Sequence, residues 1–234
     1  LEKALALGPP PPGDPQLHFQ AGTVASKAGR LDRAEEHYSM AQQGNPSEAK
    51  YPLYLAMIQL KSEPPQTDAA AASLLRAIRL NPDLAEAYGT LGQIYLQQNK
   101  LGIALRNVQR ATALQPTVAR WRVVEAKVLK RQGQPELAAT VLQGLDAAQR
   151  RSPEIMGVLA ECYGMMKKPG LAAAMYAEAY EGSGSKGAAE AGLAYEAAVW
   201  HERAGDETGA IKYAKAAAGF GHAEAAGLVA RLGK

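Results

Sequence analysis

The chain has 234 residues, 47% hydrophobic and 21% charged, with a formal net charge of +3 and a single cysteine. One cysteine excludes an intrachain disulfide, and no run of 18 apolar residues is present to form a membrane-spanning helix. The weak basic excess is poor support for a nucleic-acid binder, and alanine abundance without alternating β-branched runs predicts an all-helical chain.

In chain order, LEKALALGPP opens the sequence on Leu1 with no charged stretch leading into an apolar core. Its apolar stripe is stopped by Gly8 and Pro9. PPPPGDP follows at 9–15 and is expected to be extended and stiff. From Pro15 onward a pattern recurs, with equivalent starts at Pro15, Ala49, Ala85, Ala119, Pro153 and Ala191. Residues 81–116 show it most clearly: Tyr88, Leu91, Gly92 and Tyr95 form one helical stripe, and Ala104, Val108 and Ala111 a second. The polar turn Gln98-Asn99-Lys100 separates them, and Pro116 closes the hairpin.

The eighth position of each unit is small: Gly22, Ala56, Gly92, Ala126, Ala160, Ala198. The twentieth, setting aside two extra residues in the turn of the second unit, is always alanine: Ala34, Ala70, Ala104, Ala138, Ala172, Ala210. The twenty-seventh is Ala41, Ala77, Ala111, Leu145, Ala179, Ala217. Small side chains there let the first helix of a unit (helix A) nest against the second (helix B) and against the next unit. Leu145 breaks the rule and predicts a distorted helix B in the fourth unit. SEPPQTD (62–68) lengthens the turn of the second unit, and EGSGSKG (181–187) reads as a flexible linker, since it lacks the spacing of a phosphate loop.

Six such units resemble the tetratricopeptide repeat over nearly the whole chain, most fully at 85–116. The resemblance implies a right-handed superhelical solenoid of antiparallel helix pairs. Its expected bounds are 1–14 for the end of a preceding repeat plus a Pro-rich turn, then repeats at 15–48, 49–84, 85–118, 119–152, 153–190 and 191–221. Residues 222–234 complete it as a capping helix. Aligning Pro9 with the closing Pro46, Pro82 and Pro116 makes LEKALALGPP the tail of a helix B, so the parent chain is expected to extend N-terminally. KAAAGFGHAEAAGLVARL resembles the Sel1-like relative of these repeats.

Chemistry is sparse. The histidines His18, His37, His201 and His222 lie in other units than Cys162, and none pairs with another at i+3 or i+4. Glu35-Glu36 and Asp206-Glu207 sit near helix starts, where they favour the positive end of the helix dipole. No cofactor, metal site or enzymatic activity is expected.

By resemblance, the second, fifth, ninth, twelfth and thirteenth positions of each helix A face a concave groove. The fourth unit then offers Arg120, Val123, Lys127, Lys130 and Arg131, the second Lys50, Leu53, Met57, Leu60 and Lys61, and the fifth the acidic Glu154 and Glu161. The expected function is a protein–protein interaction scaffold. An acidic segment would lie against Lys50, Lys61, Arg120, Lys127, Lys130 and Arg131, with apolar anchors near Leu53, Met57 and Val123. The chaperone-tail clamp of the family needs Lys and Asn where Phe19, Thr23, Leu53 and Met57 stand, so that mode is disfavoured. A recruiting arm of a larger enzyme and self-association stay open. An RNA-reading repeat is disfavoured by the acidic fifth unit and by Phe19 and Tyr195 lying far apart.

Overall fold

A computed structural model of the chain describes residues 13–183 and 187–233. The expected partial repeat at 1–14 lies almost wholly outside the described residues, as does the centre of the GSGSKG linker. Among the described residues the secondary structure is entirely helical, in fourteen helices. Two compact units divide the chain, Leu1–Pro116 and Thr117–Lys234.

In the first unit, α1 (Pro15–Lys27) pairs with α2 (Leu31–Gly44), α3 (Lys50–Lys61) with α4 (Thr67–Leu80), and α5 (Ala85–Gln97) with α6 (Leu101–Leu114). In the second, α7 (Ala119–Arg131) pairs with α8 (Pro135–Gln143), α10 (Pro153–Met165) with α11 (Pro169–Gly182), and α12 (Ala188–Arg203) with α13 (Glu207–Gly219). The short α9 (Ala147–Arg150) and the last helix α14 (Ala225–Leu232) complete it.

The hairpins close on one contact. The small eighth residue of helix A receives a residue of helix B four places after the invariant alanine. That residue is Tyr38, Leu74, Val108, Leu142, Tyr176 or Ala214, each less than a tenth exposed. A Cβ on Gly22 would come within 2.8 Å of the Tyr38 ring, and one on Gly92 within 3.1 Å of Val108 Cβ. The alanines at the twentieth position are all fully buried. Each lies where a larger side chain would meet the facing helix at close-packed density.

The turn within each hairpin repeats a backbone solution. Gly29, Asn99, Gly133, Lys167 and Gly205 are all left-handed, at φ between 56° and 80°. Each is followed by an N–H that donates back five residues: Arg30 to Ala25 O, Lys100 to Tyr95 O, Gln134 to Leu129 O, Lys168 to Tyr163 O and Asp206 to His201 O, at 2.8–3.0 Å. This is the Schellman closure, which satisfies the carbonyls a helix end leaves open. The second hairpin instead carries the longer SEPPQ turn with a cis Glu63–Pro64 bond, and there the Gln66 N–H donates to Gln59 O. Between hairpins, Asn45, Asn81 and Gln115 turn extended at φ −140° to −135° ahead of Pro46, Pro82 and Pro116, as proline demands of the residue before it.

The fourth hairpin is the irregular one. Helix α8 stops at Gln143 after nine residues, and Leu145 turns inward to 5% exposure. Asp146 then caps α9 by accepting from the Gln149 N–H, and the Arg150 guanidinium donates to Gln143 O. At the far end, α13 repeats the left-handed stop at Gly221 (φ 80°), with the His222 N–H donating to Ala217 O. His222–Glu224 are therefore turn, and the helix expected from His222 starts at Ala225. Leu228 then packs on the cluster of Tyr213 and Ala214.

His18 and His37 join α1 to α2 through an Nδ1–Nδ1 hydrogen bond of 3.2 Å. Burial, then the neighbouring His18, holds the His37 pKa below its ordinary value. The folded state therefore resists a proton that the unfolded chain accepts. Stability contributed here is complete above the unfolded pKa near 6.5 and is lost as pH falls below it.

Three outcomes are expected. Gly92→Leu lowers the urea-unfolding free energy by about 2–3 kcal/mol, because Val108 cannot retreat. Lys167→Gly raises it by about 1 kcal/mol by relieving a left-handed lysine. The fall in thermal midpoint between pH 7 and pH 5 is smaller in His37→Gln than in the parent chain.

Candidate functional site

Each unit presents its own helix-A face. In the first, α3 carries Lys50, Leu53, Met57 and Lys61 at helical spacing, all within an arc of about 80°. Lys50 Nζ lies 5.2 Å from the Phe19 ring centre and 5.3 Å from that of Tyr51. It also donates to Gln16 Oε1 at 3.3 Å and stands 4.0 Å from Glu48. Phe19 meets Tyr54 edge-on at 5.0 Å, and Tyr54 is 42% exposed. Leu53 and Met57 are half-buried, with Leu53 packed against the cluster of Ala56 and Leu74. Lys61 is exposed and, among the described residues, pairs with no carboxylate. Beyond it the surface dips into a depression of about 720 Å³ between two turns, lined among others by Arg30, Asp32, Arg33, Lys61 and Glu63.

The second unit differs in its electrostatics. Lys127 Nζ lies 2.6 Å from Glu154 Oε1, and Lys130 Nζ bonds to Glu161 Oε2. Two of the cations of α7 are thus bound by carboxylates of α10, and the cationic and acidic faces read from the sequence partly offset one another. Burial also holds the Lys130 ammonium below its usual pKa. Arg120 stacks its guanidinium 3.9 Å from the Trp121 ring centre. Val123 is only 5% exposed and forms a floor of the face. Arg131 is exposed at the end of α7. The structure therefore brings Lys50, Leu53, Met57 and Lys61 onto one face of the first unit, and Arg120, Lys127, Lys130 and Arg131 onto α7 of the second.

Residues overlooked in the sequence reading include Tyr51 and Tyr54, which with Phe19 and Tyr38 build an aromatic patch. Aromatic spacing on α3 was the available signal. Another is the bidentate Arg231–Glu202 pair, which ties α14 to α12. Trp200 of α12 lies over Gly164 of α10, where a Cβ would come within 2.4 Å of the indole.

The groups that could carry chemistry are otherwise engaged. Cys162 is buried, and burial pushes its thiol pKa up, against a nucleophilic role. Among the described residues no three His, Cys, Asp or Glu side chains gather to hold a metal ion. His201 is bonded to Asp206 at 2.7 Å, and Asp206 in turn caps α13. His222 stacks on Tyr195, whose hydroxyl donates to Glu224 at 2.7 Å. No described helix is long and apolar enough to cross a membrane.

Comparison with known proteins agrees with this architecture. Residues 85–118 match the tetratricopeptide repeat model. No curated protein sequence matches the chain. Among solved structures, PilW, described as a widely conserved type IV pilus biogenesis factor, superposes with a TM-score of 0.74 at 19% identity, over 94% of this chain and 98% of that one. PilF of Pseudomonas aeruginosa gives 0.69 at 18% identity, over 86% and 89%. YrrB, described as a tetratricopeptide-repeat protein with an unusual peptide-binding site, gives 0.66 at 20% identity, over 85% and 98%. One repeat, at 85–118, thus matches the tetratricopeptide repeat, and the fold of the chain is that of solved tetratricopeptide-repeat structures.

Proposed function

We propose that this chain is a non-catalytic protein–protein interaction scaffold, and that it takes an acidic segment of its partner on the α1–α3 face of the first unit. One observation carries the choice of face. Lys127 and Lys130 are already paired with Glu154 and Glu161 at short range, whereas Lys61 pairs with no carboxylate among the described residues and Lys50, 4.0 Å from Glu48, rests on aromatic rings. A cation held over ring faces is less hydrated than one in water and keeps its charge for an incoming anion. Half-buried Leu53 and Met57 beside exposed Tyr54 add apolar surface between the charges. The likeness to the fold of YrrB, whose description names a peptide-binding site, is consistent with this use of the scaffold.

A nuclease-treated pull-down with the intact chain tests it. Lys50→Glu/Lys61→Glu is expected to lose the protein captured by the parent chain. Lys127→Gln/Lys130→Gln is expected to retain it, with stability lowered by no more than about 2 kcal/mol for two exposed pairs. Capture unchanged in the first variant, or lost only in the second, removes the first unit from the role.

A further inference from the structure

We infer that the turns within the fourth and fifth hairpins form an edge that docks on an anionic lipid surface, apolar side chains entering it and lysines meeting its headgroups. This contact belongs to the second unit and does not depend on the face proposed above. The most exposed large apolar side chains among the described residues gather there: Leu137 at 54%, Met165 at 49% and Leu171 at 46%. Leu137 and Leu171 hold the same nineteenth position, in the first turns of α8 and α11, and Met165 ends α10. Lys130 bonds to Glu161 between the C-terminal ends of α7 and α10, and α8 packs on α10, so the two turns stand side by side.

A second observation sets the charge. Lys167 and Lys168 are both exposed in the fifth hairpin's turn, and among the described residues neither has an ion-pair partner. Lys167 is left-handed at φ 56°, where Gly29, Gly133 and Gly205 stand in three of the other turns. A lysine there costs backbone energy that glycine does not. The negative end of the α10 dipole does not require it, because Lys168 already supplies a cation. Strain kept where a glycine would relieve it points to a use for the side chain. Glu136, exposed beside Leu137, is offset in charge by Arg131 of the same turn, which leaves the lysine pair in excess. Asp206 and Glu207 make the sixth turn acidic, so the edge ends at the fifth.

The shape of the edge decides between a lipid and a protein. A Cβ on Gly133 or Gly170 would meet nothing within 4 Å, so the turn tips project and wall no pocket. A protein partner anchors itself in packed, desolvated pockets. A headgroup layer takes in projecting apolar side chains without one and attracts lysines besides.

Flotation of the intact chain with vesicles tests this, using phosphatidylcholine alone and phosphatidylcholine mixed equally with phosphatidylglycerol. The parent chain is expected to float with the mixed vesicles and not with the neutral ones. One lysine near an anionic surface is worth about fivefold in partitioning, so Lys167→Gly/Lys168→Gln is expected to bind about twentyfold more weakly. Lys167→Gly itself favours the folded state, so that loss cannot come from unfolding. Leu137→Ser/Leu171→Ser, first checked for an unchanged unfolding midpoint, is expected to bind about tenfold more weakly. No flotation of the parent, equal flotation with neutral vesicles, or binding unchanged in either double variant overturns the proposal. Capture of a protein or nucleic acid through these residues, without lipid binding, overturns it as well.

Discussion

Everything in this chain depends on how closely two helices of a hairpin approach. A helix pair of this length cannot bury its apolar stripe alone, and hairpins must stack to do so. The stack in turn requires helix A and helix B to lie nearly backbone to backbone. Glycine or alanine at the eighth position and alanine at the twentieth permit it, and every twentieth-position alanine is sealed from solvent. With that distance fixed, the outer face of each helix A becomes a rigid ruler. The spacing of Lys50, Leu53, Met57 and Lys61 is meaningful only because α3 is held by α4 behind it and by Phe19 of α1 beside it.

Much of this was legible in the sequence because it is periodic. The small positions recur at one spacing in five units, with two residues more in the second where its turn is longer, and recurrence survives when individual residues change. The irregular fourth hairpin was legible too, since Leu145 cannot fit where an alanine belongs. The left-handed turn residue was not. Gly29, Asn99, Gly133, Lys167 and Gly205 share a position, yet asparagine and lysine hide the backbone requirement that glycine advertises. The start of the last helix was misplaced for the same reason, because Gly221 with His222 completes a stop signal and does not open a helix.

The face residues were legible one by one but not in their pairings. Charges were read unit by unit, so the fourth repeat looked cationic and the fifth acidic. The structure crosses them: Lys127 reaches Glu154 and Lys130 reaches Glu161, and the apparent field of each face is largely cancelled at short range. Val123, deep in the stack, forms a floor of its face. Reading pairs offset by about one repeat, rather than faces within a repeat, is the correction these residues teach.

The side chain that meets the small eighth position differs in size along the chain. Tyr38 fills the space left by Gly22, Val108 that left by Gly92, and where both partners are small, as at Ala198 and Ala214, neighbouring side chains complete the core. The hairpins are therefore built on one plan but are not interchangeable parts. A first helix ending up against a second helix with a different knob, through a shuffled gene or an exchange between two copies of the chain, would meet a collision or a void, the Ala/Leu pairs of the second and fourth hairpins excepted. The same complementarity that packs each hairpin thus acts as an address, recorded in side-chain volume, that keeps a chain of near-identical modules in its proper order.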